Sequence, residues 1–141
     1  SPAFAASAFA RQIAEIELGR RDPVLTVGNL ESVRDFTDVR DAVRAYRLLA
    51  EAAEPGSVFN VCSGRGTPIA QVLDILLSLS SVRGIAVQVD PARFQAADVP
   101  VQVGDPSRIT AATGWSSAIG LEQTLADLLE DWRNRVHKEK P

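Results

Sequence analysis

The chain has 141 residues, 45% of them hydrophobic and 23% charged, and carries a net charge of −3. That balance excludes a disordered segment, and the small negative charge offers no attraction to nucleic acid or anionic membranes. A single cysteine, Cys62, excludes a disulfide framework and a cysteine-based metal site.

No apolar run reaches the roughly 18 residues of a membrane-spanning helix. The opening "SPAFAASAFA" lacks the basic residues that precede the apolar part of a signal peptide, so a cytoplasmic protein without membrane contact is expected. Helical spacing over Phe4–Leu18 places Phe9, Ile13 and Ile16 on one face, and Gly19 stops the helix. A short strand, Val24–Val27, follows Pro23.

Next comes "VRDFTDVRD", Val33–Asp41, a charged junction between apolar pieces. Asp38 is a suitable N-cap for a helix over Val39–Ala53, with Val39, Val43, Tyr46 and Ala50 on one stripe. Arg40, Asp41 and Arg44 read as a solvated face of that helix, or as a surface for another part of a larger protein. "EPG" breaks the helix, and "SVFNVC" reads as a strand buried on both faces, with Val58–Val61 at its centre. Thr67 then caps, and Pro68 opens, a helix to about Leu79 with Ile69, Leu73 and Leu76 inward.

"IAVQVD" alternates as a strand, and "VPVQVG" is a candidate for another. Asp105-Pro106 starts a short helix that ends at Gly114. In a last helix, Leu121–Val136, the residues Leu121, Leu125, Leu128, Trp132 and Val136 are expected inside. Glu122, Glu130, Arg133 and Arg135 are expected in water. Strands alternating with helices give an α/β chain of about five helices around a small sheet.

Several chemistries are missing. The lone histidine, His137, sits among lysines at a helix end and reads as a solvated residue. A Ser–His–Asp set has no credible histidine. The one tyrosine, Tyr46, is followed four residues later by Ala50, and the only lysines are Lys138 and Lys140. No Tyr-x-x-x-Lys pair can therefore form within the chain. Gly64-x-Gly66 between a strand-like piece and a helix imitates a dinucleotide loop, but bulky Ile69 stands where a third glycine belongs. A tight turn into a capped helix is the reading preferred for this loop.

"SAFARQIAEIELG", "PVLTVGNLESVRDFTDVRDAVRAY", "PGSVFNVCSG" and "DVPVQVGDPSRITAATGW…LEQTLADLLEDWR" together resemble the C-terminal portion of extended short-chain dehydrogenase/reductases. The likeness is to the branch of GDP-mannose 4,6-dehydratases and GDP-4-keto-6-deoxy-mannose reductases. It covers almost the whole chain. It implies a single substrate-binding lobe over residues 1–141, without the Rossmann half that carries the NAD(P) loop and the Tyr-x-x-x-Lys pair. No cofactor is then expected on this chain, although the full-length family uses NAD(P). Phe-Thr-Asp at Phe36–Asp38 resembles the reductases, since dehydratases tend to carry Trp-Gly-His there.

The resemblance implies that Arg34 grips the diphosphate of a GDP-mannose-type nucleotide sugar. A planar guanidinium suits that task, offering paired donors and a permanent charge. From the residues alone, an ion pair with Glu31, Asp35 or Asp38 explains Arg34 equally well. A second family element, Arg-Pro-x-(Glu/Asp)-Val, reads here as "FQAADVP". Asp98 matches the acid that binds a ribose hydroxyl, and it could equally be an ordinary loop acid. Gln95 stands where a second diphosphate arginine belongs, and its loss costs about 1.5–3 kcal/mol. Arg93 is a substitute if "ARFQ" is extended, since residues two apart share a side. Phe4 and Ala5 loosely match the segment that packs the nucleotide base, and Phe4 could equally be a core residue. Two further readings stay open: a non-catalytic module that pairs with itself as a homo-oligomer, and a lobe of a UDP- or dTDP-sugar epimerase or dehydratase.

Overall fold

The computed structural model describes residues 4–93 and 99–139. Among the described residues five α-helices and five short strands follow in the order α1 (Ala5–Glu17), β1 (Val24–Val27), β2 (Val33–Asp35), α2 (Val39–Ala52) and β3 (Gly66–Pro68), then α3 (Ile69–Leu79), β4 (Ala86–Val89), β5 (Val101–Gln102), α4 (Ser107–Thr113) and α5 (Leu121–Lys138). The α/β class and the five helices are as expected. The strands, however, form two small sheets, β1–β4 and β3–β2–β5, rather than one. The chain divides into two compact units, one of Ser1–Ser32, Pro68–Pro100 and Glu122–Pro141, the other of Val33–Thr67 and Val101–Leu121.

In the first unit β1 and β4 run parallel, Val24 opposite Ala86 through Val27 opposite Val89. Leu25 and Val27 are buried, as the period of two requires. From α1, Phe9, Ile13 and Ile16 enter the core, joined by Leu73 and Leu76 of α3 and by Leu125, Leu129, Trp132 and Val136 of α5. Leu129 takes the position expected for Leu128, which is only half-buried. The Gln12 side chain acts as a short piece of strand. Its Nε2 donates to the Thr26 carbonyl at 3.1 Å, and its Oε1 accepts the Thr26 amide at 3.0 Å.

Helix ends show where local reading succeeds and fails. Gly19 and Gly114 follow α1 and α4 with φ of 68° and 69°, the left-handed conformation that glycine adopts at least cost. Thr67 does not cap α3. It lies in β3, and the α3 N-cap is Pro68, which makes no side-chain cap bond. The first amides of α3 are satisfied instead by carbonyls of a preceding loop, Ile69 N donating to Ser32 O and Ala70 N to Leu30 O.

Arg133 is not a solvated residue. Its guanidinium makes a two-pronged pair with Glu17, Nε to Oε2 at 2.7 Å and Nη2 to Oε1 at 2.8 Å, and also donates to the Leu79 carbonyl. The Ser81 amide and Ser80 hydroxyl donate to Glu17 as well. Arg20 donates to the Val136 and Glu139 carbonyls and so caps the end of α5. His137 is exposed there.

The second unit is built around Ala45, Ile109 and Trp115, with Leu48, Leu49, Phe59 and Val61 packed against them. Helix α2 presents two possible stripes, and the structure buries the one not expected. Val39, Val43 and Tyr46 are 71%, 59% and 63% exposed, while Asp41 and Ala45 face inward. Ala45 packs with the fully buried indole of Trp115 and with Ile109.

The stretch 57–63 forms no strand, and Val58 is 75% exposed. The buried strand expected over Val58–Val61 is therefore corrected. Only alternate residues, Phe59 and Val61, turn toward the core. Side chains hold the stretch in place of a ladder: Arg108 donates to Val58 O at 2.8 Å, with its guanidinium 4.8 Å from the Phe59 ring centre.

Candidate functional site

Charge in the 33–41 junction is mostly architectural. Asp38 caps α2 as expected, its Oδ1 accepting the Arg40 amide at 2.8 Å, and the Arg40 side chain pairs with the same carboxylate. Asp41 is not on a solvated face. Its side chain is 2% exposed and accepts from Arg44 on Oδ1 and from the Ala118 and Ile119 amides on Oδ2. Burial alone would raise the Asp41 carboxyl, but those hydrogen bonds outweigh it and hold the group below the usual range.

Arg34 lies in β2, which pairs with β5 in parallel through Val33–Val101 and Arg34–Gln102. It is half-buried, and its Nη1 donates to the Val33 carbonyl at 2.8 Å. Arg34 lines an open concavity of about 750 Å³ together with Asp35, Tyr46, Phe59, Gln102 and Gly104. A guanidinium on the wall of such a concavity can offer paired N–H donors to an anion.

Asp35 organises the rim. Its Oδ1 accepts the Ser63 amide at 2.8 Å and the Ser63 hydroxyl at 2.6 Å. Its Oδ2 accepts the Gly64 amide at 2.9 Å and the Gly104 amide at 3.3 Å. Gly104 tolerates no side chain, because a Cβ there would lie 2.5 Å from Cys62 Sγ. Burial, with Asp35 nearby, pushes the Cys62 thiol up, so it suits packing rather than nucleophilic attack.

The Gly64-x-Gly66 loop does not fit a dinucleotide. The Ser63 and Gly64 amides, which a pyrophosphate would need, point at the Asp35 carboxylate. A Cβ on Gly66 would come within 2.8 Å of Val33 Cγ1, so this glycine serves close packing. Gly64 turns the chain with φ of 75°. The turn expected here is present, and the cap is not.

The remaining candidates divide between the units and the undescribed segment. Arg93 belongs to the first unit, at the end of a 3₁₀ turn, Pro91–Arg93. Its Nε is 3.5 Å from Asp90, its Nη1 donates to Thr26 O at 3.3 Å, and its backbone closes over Gly28. Phe4, also in the first unit, is 73% exposed just ahead of α1, and Ala5 is the half-buried first residue of that helix. Gln95 and Asp98 lie outside the described residues. Sequence reading missed Asp35 and Asp41 as anchors; the only local hint was the density of acids itself. Among the described residues, no helix is long and apolar enough to cross a membrane, and no three His, Cys, Asp or Glu side chains gather as a metal ion would need.

Comparison with known proteins gives a consistent picture. Residues 1–128 match the family model described as GDP-mannose 4,6 dehydratase. The chain is 38% identical to the GDP-6-deoxy-D-mannose reductase of Pseudomonas aeruginosa over 136 residues, which are 96% of this chain and 44% of that protein. It is 30% identical to the GDP-6-deoxy-D-talose 4-dehydrogenase of Aggregatibacter actinomycetemcomitans, over 83% of this chain and 39% of that one. Among solved structures, RMD from Pseudomonas aeruginosa complexed with NADPH superposes with a TM-score of 0.88 at 33% identity, over 96% of this chain and 44% of that one. The chain thus spans less than half the length of these relatives, and it corresponds to the C-terminal part of an extended short-chain dehydrogenase/reductase.

Proposed function

We propose that this chain, which belongs to the GDP-mannose 4,6-dehydratase family, is the substrate-binding lobe of a GDP-sugar enzyme, on the reductase side of the branch. The lobe comprises residues 1–141 and binds a GDP-mannose-type nucleotide sugar. By the resemblance, Arg34 grips the diphosphate, Gln95 and Arg93 are the candidates for a second clamp, Asp98 for a ribose hydroxyl, and Phe4 and Ala5 for the base. The observation that carries this reading is the place of Arg34, a permanent cation on the wall of an open concavity of about 750 Å³. The 38% identity to a GDP-6-deoxy-D-mannose reductase supports the choice of sugar nucleotide. With no Tyr-x-x-x-Lys pair and no fitting dinucleotide loop, the chain binds substrate but supplies neither hydride nor proton transfer, and it turns nothing over alone.

Calorimetric titration of GDP-mannose tests this. Arg34→Ala is expected to weaken binding by about 1.5–3 kcal/mol and to leave the melting temperature nearly unchanged. Gln95→Arg is expected to strengthen binding by restoring a charge-assisted contact. A lower melting temperature with unaltered binding in Arg34→Ala would instead make the arginine a structural ion-pair partner. Parallel titrations of UDP-glucose and dTDP-glucose decide the nucleotide, and preference for either moves the lobe to the epimerases and dehydratases of those sugars.

A second reading is favoured by the uncovered apolar side of α2. Val39, Val43 and Tyr46, with Val58 in the same unit, present large side chains to solvent. Patches of this kind draw a partner, commonly a second copy related by a two-fold axis. Sedimentation velocity is expected to show a dimer that Val43→Lys dissociates. A strictly monomeric profile at high concentration removes this reading.

A further inference from the structure

We propose that Asp35 is the positioning residue for Arg34: its carboxylate holds the two chain segments that form the rim of the concavity into which Arg34 opens. The idea rests on the diphosphate reading of Arg34 and adds a second residue to the same site. Asp35 follows Arg34 directly in β2, and both line the concavity with Cys62 and Gly104.

Near Asp35 the two segments share no regular ladder with each other, although Arg108 holds the far end of 57–63 at Val58. β5 pairs with β2 over two residues only, and 57–63 forms no strand. At the Ser63 end the Asp35 carboxylate supplies the tie. Each of its oxygens accepts two hydrogen bonds, from the Ser63 amide and hydroxyl on one side and from the Gly64 and Gly104 amides on the other. The Ser63 hydroxyl in turn accepts the Arg65 amide at 3.2 Å, so the tie extends along the loop. Cys62 Sγ fills the space a side chain on Gly104 would need, which brings the two tied segments into direct contact. Charge-assisted bonds are the strong ones, and neutral asparagine cannot accept on all sides.

Sign separates this role from a bystander's. Removing a negative charge beside an anion site strengthens anion binding by Coulomb's law. Losing the rim weakens it. The experiment measures the affinity of purified Asp35→Asn, Ser63→Ala and Arg34→Ala for GDP-mannose and for inorganic pyrophosphate, at a temperature where circular dichroism shows each variant folded. Asp35→Asn is expected to bind both probes about tenfold more weakly, despite its more favourable charge. Ser63→Ala, which removes one of the four bonds, is expected to show a smaller loss in the same direction. If Asp35→Asn does not fold, Ser63→Ala decides, and unchanged affinity there overturns the proposal. Equal or tighter binding by a folded Asp35→Asn, with weaker binding by Arg34→Ala, overturns the positioning role and leaves the diphosphate reading standing. Unchanged affinity in Arg34→Ala overturns both.

Discussion

Asp41→Ala is expected to destabilise the second unit by about 2–4 kcal/mol. The carboxylate is almost wholly buried and ties α2 to the segment after α4: Arg44 donates to one oxygen, and the Ala118 and Ile119 amides to the other at 2.9 and 2.8 Å. The Asp41 backbone carbonyl also accepts the indole N–H of fully buried Trp115 at 3.0 Å. Truncation leaves two amides without an acceptor and Arg44 without its carboxylate. The lower part of the range reflects Arg44, whose side chain is 37% exposed and can turn to water. Asp41→Asn keeps the size and one acceptor oxygen, and is expected to cost less than the alanine. The chain has two tryptophans, Trp115 in the second unit and Trp132 in the first, so each unit has its own fluorescence signal. Denaturant unfolding followed at both signals checks the expectation. A transition of the Trp115 signal unmoved by Asp41→Ala refutes it.

Arg133→Ala is expected to cost the first unit about 1–3 kcal/mol at neutral pH and almost nothing in strong acid. The hydrogen bond from Arg133 is the largest reason the Glu17 carboxyl falls from 4.5 to about 2, against the opposing effect of its burial. A carboxyl whose folded pKa is depressed contributes stability that is fully present above the unfolded value. That contribution is lost as pH falls through the window from 4.5 to about 2. The natural chain should therefore lose stability across this window, while Arg133→Ala, already lacking the pair, should lose much less. Water screens the pair from the Arg133 side, whose side chain is 33% exposed, although Glu17 is only 9% exposed. Stability of both forms measured between neutral pH and pH 2 should show the two curves converging. Parallel curves would show that the pair carries none of the acid sensitivity.

Much of the fold was legible because its signals are local. The spacing of Phe9, Ile13 and Ile16 identifies α1, the short apolar run after Pro23 identifies β1, alternation identifies β4, and Gly19 and Gly114 mark helix ends. Each depends on residues a turn or less apart, where backbone geometry alone relates sequence to a face. Asp38 as the cap of α2 is of the same kind, reaching two residues on to the Arg40 amide.

What tertiary structure decided is whatever depends on distant partners. Helix α2 carries two stripes of similar period, and the one with Ala45 is buried because it packs with Ile109 and Trp115, both distant in sequence. The run Val58–Val61 reads as a buried strand because apolar content does not tell which edges find a neighbour. The acids of the junction look alike in sequence, yet Asp35 meets Ser63 and Gly104, and Asp41 meets Ala118 and Ile119. A carboxylate's task is set by the amides that converge on it, and chain closure alone brings those amides near. For Arg34 the sequence by itself determined a permanent cation among acids. The fold placed that cation on the wall of an open concavity and turned the neighbouring Asp35 toward the rim.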